Sequence, residues 1–289
     1  MHISDHLKGI LITTLGVIIL SPDALIIRLL NADTWTVMIW RGTAFAIGIT
    51  LIMLLTYREK TIQQFIKIGK PGLMIGLFFG CSNLCFTTAI QNTSIANTLV
   101  IIATSPMFAA LFTWMFLGEK IKTITWVAML IIFASIFLIM SDSLETGGIL
   151  GDLSAFGSAI FIAISFTFTR RHKEVNMVPA MALSGILIAL VSIPAILSTG
   201  GTFKLLPEVV PFLILGGAIS STAFALITLG PRYMPAPEVS LIMPLETVLG
   251  TYLGWLFISE KPSSLTIIGG VIIILTLVAH SWVSLKNQH

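Results

Sequence analysis

The chain has 289 residues, of which 56% are hydrophobic and only 10% charged, and its mean hydropathy is +0.99. Soluble domains carry about 25% charged residues, so a water-soluble globule is excluded and most of the surface must face lipid. The net charge of +3 is small and the basic residues do not alternate with aromatics, so no nucleic-acid partner is expected.

A spanning helix needs roughly 20 apolar residues. The apolar runs predict helices at roughly 8–30, 34–56, 72–91, 95–117, 123–141, 149–170, 177–198, 209–229, 237–258 and 264–284. They leave only short loops and no room for a separate soluble domain. The first run has no small-residue cleavage site after it, so it reads as a retained helix.

The first helix is interrupted by Ser21-Pro22-Asp23. Pro22 cannot donate a backbone bond and is expected to leave the Ile18 carbonyl free. Such a break is tolerated in a membrane only against protein or a water-filled cavity. An acid in lipid is costly, so Asp23 should face the interior, either as a transport residue or as a cap for the half-helix. In the second helix, Arg41 lies about as far below the outer surface as Asp23, roughly 10 Å at 1.5 Å per residue. An ion pair between them would lower the cost of burying both; the alternative is that Arg41 snorkels outward. Arg28, close to a helix end, reads as a snorkelling residue.

In the third helix Gly72, Gly76 and Gly80 form a smooth stripe that lets another helix approach. Ser82, Asn83 and Phe86 then give a polar patch with an aromatic neighbour, suited to a substrate cavity or to interhelical hydrogen bonding. Cys81 and Cys85 share a face of this helix and read as buried thiols. The fourth helix carries Thr104-Ser105-Pro106, which predicts a kink. The fifth, 123–141, is apolar and uncharged, which suits a face turned to the lipid bilayer or to a homodimer partner.

In the sixth helix Ser158, Phe161 and Ser165 share one face. The eighth holds Ser220-Ser-Thr222 and Phe224 at its middle. Glu238 follows Pro237 in a first turn, an ordinary helix start. Glu246 differs: it lies near the predicted bilayer centre, behind Pro244 and ahead of Gly250-Thr-Tyr252-Leu-Gly254. It could carry a proton there, or it could bond to backbone freed by Pro244. His280 reads as interfacial.

The chain also repeats itself. Trp114-Met-Phe-Leu-Gly-Glu119-Lys120 returns as Trp255-Leu-Phe-Ile-Ser-Glu260-Lys261, 141 residues later, and Pro71-Gly-Leu-Met-Ile-Gly76 returns as Pro211-Phe-Leu-Ile-Leu-Gly216, 140 residues later. This predicts two halves, 1–141 and 149–289. Five helices per half is an odd number, so the halves must enter the membrane in opposite directions, as inverted repeats. With the N-terminus inside, 12 of the 16 basic residues fall on inner segments. The positive-inside rule then places both termini and the polar stretch 57–70 in the cytoplasm, and the acidic link 141–148 outside.

There is no phosphate-binding glycine loop, His-Glu-x-x-His, Gly-x-Ser-x-Gly or Cys/His cluster in the sequence. No cofactor, metal or enzymatic activity is therefore expected.

The order and spacing of several segments resemble the EamA type of the drug/metabolite transporter superfamily, over essentially the whole chain. They are Leu20-Ser-Pro-Asp-Ala-Leu25, Trp40-Arg41, Pro106 with Trp114 to Lys120, Leu245-Glu246 with Trp255 to Lys261, and Pro262-Ser-Ser-Leu-Thr-Ile-Ile-Gly269-Gly270. The resemblance implies an all-α membrane protein of ten transmembrane helices in two inverted five-helix repeats. It also implies a central cavity lined by helices one, three, four, six, eight and nine, and export of a small-molecule substrate. Thr247 departs from the family, which usually has proline after the Leu-Glu pair. The expected substrate-binding set is Asp23, Arg41, Ser82, Asn83, Phe86, Ser105, Phe161, Ser165, Phe224, Glu246 and Tyr252. The expected function is secondary transport of small polar or amphipathic metabolites, amino acids or similar, outward across a cell inner membrane by alternating access. A passive facilitator or channel, a non-transporting membrane scaffold and an intramembrane enzyme are the alternatives.

Overall fold

The structure is a computed structural model that describes residues 4–29, 33–93, 95–140, 148–199, 203, 207–258 and 264–286. Most of the predicted outer link 141–148, the side chain of Arg28, Lys204 and the second motif's Glu260-Lys261 lie outside the described residues. Within the described residues all regular structure is helical: α1 (Asp5–Leu20), α2 (Asp23–Leu29), α3 (Thr34–Tyr57), a 3-10 turn (Arg58–Lys60), α4 (Thr61–Lys67), α5 (Gly69–Asn92), α6 (Ile95–Ile102), α7 (Ser105–Leu117), α8 (Thr123–Met140), α9 (Ile149–Arg171), α10 (Val178–Thr199), α11 (Val210–Tyr233), α12 (Ala236–Ile242), α13 (Pro244–Ile258) and α14 (Ser264–Lys286). Among the described residues, seven helical stretches are long and apolar enough to cross a membrane, and shorter apolar helices run over Ser105–Leu117, Thr123–Ser135 and Ile267–His280.

Three predicted helices are each split in two, and proline lies at or just after each break: α1/α2 at Pro22, α6/α7 at Pro106 and α12/α13 at Pro244. The first break corrects the expectation of a free Ile18 carbonyl. Ser21 N–H donates to Ile18 O at 3.3 Å as well as to Val17 O at 3.0 Å, and the Ser21 hydroxyl also donates to Val17 O at 2.9 Å. A tightened last turn thus takes up the carbonyl that proline cannot serve. The third break repeats the device, with Met243 N–H donating to Ser240 O at 3.2 Å.

The stretch 57–70 is helical, not an open loop. Arg58 (φ 48°) and Gly69 (φ 50°) turn the chain at its two ends. The Thr61 hydroxyl donates to Arg58 O at 2.7 Å and Met53 O at 3.1 Å, which fixes α4 against the end of α3. Ile62 and Ile66 are exposed on α4, flanked by Lys60, Lys67 and Lys70. Apolar side chains between lysines suit a short helix lying in the headgroup region.

Helices approach closely where glycine allows it. A Cβ on Gly42 would come within 2.7 Å of Gly185 O, and one on Gly185 within 2.6 Å of Gly42 O, so the α3–α10 crossing is backbone on backbone. From the predicted stripe, Gly76 and Gly80 face α10, where a Cβ on Gly76 would lie 2.7 Å from Ala180 O; Gly72 instead packs on Ile68 of its own bend. The main packing contacts run between helices far apart in the sequence. The helix α1 packs on α11 and α5 on α9; α3 packs on α10 and α11, and α10 on α3 and α5; α8 packs on α14. At the centre, Phe45, Phe79 and Phe224 form an aromatic group, Phe79 and Phe224 edge-on at 4.6 Å. The outward face of α8 exposes Trp126, Leu130, Phe133 and Phe137, while Ala128, Met129 and Ile132 pack inward with Ile273 and Leu277 of α14. In water that outer face would be a liability; in lipid it is ordinary.

Candidate functional site: a cavity between the broken helices

The breaks in α1/α2 and α12/α13 have a common consequence. Each starts a new helix, and each new helix carries an acid in its first turn: Asp23 in α2 and Glu246 in α13. The free N–H groups of a first turn favour a carboxylate, which offsets part of the cost of holding an acid inside the protein. Both side chains are buried, and both line one cavity.

That cavity encloses an empty volume of about 420 Å³ including its mouth. Its polar wall is Asp23, Arg41, Ser82, Asn83, Ser158 and Glu246; its apolar wall is Leu20, Phe79, Phe86, Leu99, Ile102, Ile162, Phe224 and Met243. Arg41 Nη2 donates to Asp23 Oδ2 at 2.5 Å. The two residues thus meet inside the bundle, the pairing that their similar depth allowed, and Arg41 does not snorkel. Arg41 is only 8% exposed, its guanidinium stands 5.9 Å from the Phe86 ring centroid, and its Nη1 is buried with no hydrogen-bond partner among the described residues. Ser82 is satisfied: its hydroxyl donates to Ser158 O at 3.0 Å and lies 3.0 Å from Ser158 Oγ, tying α5 to α9.

Seven of the eleven expected site residues line the cavity: Asp23, Arg41, Ser82, Asn83, Phe86, Phe224 and Glu246. The other four do not. Tyr252 is 53% exposed and packs edge-on against Trp255 at the outer face of α13. Phe161 stacks on Phe78 between α9 and α5, with centroids 6.5 Å apart. Ser165 is buried, its Oγ 3.5 Å from Ile75 O. Ser105 is fully buried at the α6/α7 break, with no hydrogen-bond partner for its hydroxyl among the described residues. Ser158 and Phe79 belong to the wall instead. Ser158 could have been found, since it shares its helix face with Ser165; Phe79 could not, because its neighbour Phe78 is equally aromatic and only the rotation of α5 decides which ring points inward.

The end of the bundle that carries the start of α1 is closed by polar contacts. His6 Nε2 lies 2.5 Å from Glu238 Oε2, both buried, so Glu238 does more than start a helix. Arg170 Nε contacts Glu119 Oε1 at 3.3 Å, and Arg170 Nη1 donates to Pro231 O at 3.3 Å. Asn176 Nδ2 donates to the Tyr57 hydroxyl at 3.1 Å, and the Lys8 ammonium sits 4.8 Å from the Tyr233 ring centroid. His280, expected at an interface, is buried, with Nε2 3.1 Å from Thr125 Oγ1, so it joins α14 to α8. The motif tryptophans Trp114 and Trp255 are exposed, as headgroup anchors would be. Cys81 and Cys85 are free and only half-buried. Among the described residues no group of His, Cys, Asp and Glu could hold a metal ion.

The EamA-like transporter family matches residues 7–141 and again residues 149–282. The chain belongs to that family. It is thus a multi-pass membrane protein of a transporter family of the drug/metabolite type. It is 28% identical over 242 residues to the pseudopaline exporter CntI of Pseudomonas aeruginosa, covering 82% of this chain and 83% of that one. It is 27% identical over 238 residues to an uncharacterized transporter of Helicobacter pylori, covering 75% of this chain and 78% of that one. One protein of known crystal structure superposes with a TM-score of 0.77 at 15% identity, over 97% of this chain and 99% of its own, a likeness of fold.

Proposed function

We propose that this transporter is a secondary exporter of small polar or amphipathic metabolites, working by alternating access across a cell inner membrane with both termini in the cytoplasm. The observation that carries the reading is the central cavity. It is apolar on one side, holds Asp23, Arg41 and Glu246 on the other, and lies where two helices are broken. Broken helices that present first turns to a buried site are how membrane transporters hold charged groups without water.

Ten spans in two inverted repeats, 1–141 and 149–289, complete the reading. Seven long and three shorter apolar helices support the count. The recurrence of the main inter-half contacts with the roles of the halves exchanged, and the two-fold family match, support the repeats. The pseudopaline exporter among the relatives supports the outward direction.

The test is a metabolite screen with vesicles that contain the purified protein. Uphill movement of a compound that depends on a proton gradient supports secondary transport. Movement only down its own gradient would make the protein a facilitator, and turnover of a lipid or peptide without flux would make it an enzyme.

A further inference from the structure

The polar wall of the cavity is incomplete in a specific way. Arg41 gives one arm of its guanidinium to Asp23 and keeps the other, Nη1, buried and unpartnered. Buried arginine donors are seldom left unpaired, because the lost hydration is not returned. The Glu246 carboxylate, 7% exposed, accepts no hydrogen bond among the described residues, nor does the Asn83 amide engage in one. Arg41 and Glu246, one with an unused donor and one with an unused acceptor, are thus both lining residues of one cavity. Phe79, Phe86 and Phe224 line the same cavity, Phe86 beside the Arg41 guanidinium.

Charge decides what can fill it. The described ionisable groups on the wall are Asp23 on α2, Arg41 on α3 and Glu246 on α13. Asp23 and Arg41 cancel, so an ionised Glu246 is unbalanced in a low-dielectric setting, where an isolated charge is severely penalised and is relieved by a proton or by a bound cation. A singly charged cation brings the total to zero. A zwitterion leaves it at one negative charge, and an anion raises it to two.

We infer that the cavity is built for a singly charged organic cation: a compact amine whose ammonium pairs with Glu246 and whose one carbonyl-type oxygen accepts a hydrogen bond from Arg41 Nη1. The apolar remainder of such a molecule lies against the three phenylalanine rings, where the ammonium also gains from the ring faces. Asn83 is free to bond either polar end. This rests on the transporter reading and narrows it from polar or amphipathic metabolites in general to amines with a neutral acceptor.

The experiment is calorimetric titration of the purified full-length protein in detergent at pH 7 with four probes on one carbon frame. Leucinamide has the amine and a neutral oxygen. Leucine has the amine and a carboxylate, isoamylamine has the amine alone, and 4-methylpentanoate has the carboxylate alone. Leucinamide should bind at least tenfold more tightly than leucine or isoamylamine, and 4-methylpentanoate should not bind. Leucine or 4-methylpentanoate binding as tightly as leucinamide would overturn the charge assignment, and isoamylamine doing so would overturn the role of Arg41. Glu246→Gln should weaken leucinamide at least tenfold, and unchanged affinity would overturn the pairing; the probe series needs no mutant and decides even where that variant is unstable. Binding of none of the four would overturn the inference, while flux of another compound in the vesicle screen would leave the transporter reading standing.

Discussion

Asp23 and Arg41 meet at 2.5 Å across two helices, inside a bundle whose outer surface exposes many large apolar side chains. Removing one partner leaves the other as a buried charge without a counter-charge, which costs about 3–5 kcal/mol. Asp23→Asn alone should therefore lower stability or flux more than Asp23→Asn combined with Arg41→Gln. The check is a double-mutant cycle on thermal stability in detergent and on vesicle flux. Additive effects would mean that the two side chains act independently.

Among the described residues of the wall, Glu246 is the acid without a cation paired to it. If its proton couples substrate movement to the gradient, Glu246→Gln should fold as the parent does yet show a flattened dependence of flux on pH. Glutamine keeps the size and hydrogen-bonding capacity and removes only the ionisation. Flux measured against pH for both forms, with melting temperature alongside, reads this out. A variant that keeps the original profile would end the coupling idea.

Topology makes a third test. With Cys81 and Cys85 replaced by serine, a cysteine introduced in place of Lys60 should be labelled by an impermeant maleimide only from the cytoplasmic side. Labelling from outside in intact cells would defeat the orientation.

The α3–α10 crossing provides a stability test away from the cavity. Gly185→Ala pushes a methyl group to within 2.6 Å of Gly42 O, where only backbone movement can make room. Overpacking of this kind costs about 1–3 kcal/mol, so the variant should melt earlier. Gly157→Ala is the control: its added methyl would meet only the Cys85 thiol at 3.3 Å. Equal melting temperatures for all three proteins would show that the crossing is looser than drawn.

The parts of this protein that could be read from its sequence are those where lipid imposes a rule. Helix positions followed from apolar run length, and the Asp23–Arg41 pair from two charges at one depth in a medium that punishes single charges. Proline marked the helix breaks. The misses have a common cause: rotation of a helix about its own axis is set by neighbours that the run of residues does not identify. Tyr252 and Ser82 look equally suited to a cavity in the sequence, yet one faces outward and the other inward. Helix α4 was missed because its seven residues are too few for a clear period. The His6–Glu238 contact joins residues 232 positions apart, and neither carries a local signal of the other.

Glu246 lies three residues beyond Met243, the junction between α12 and α13. If the two pieces bend against each other, the junction is the fulcrum. At about 1.5 Å per residue the Glu246 backbone stands roughly 5 Å from it, and the far end of the 15-residue α13 about 22 Å. A tilt of about 20° would carry that far end some 7–8 Å, and Glu246 only about 1.5 Å. The carboxylate would stay almost still while the helix end swept past it. A charge beside the fulcrum can thus remain at one depth while the passage on either side of it opens and closes.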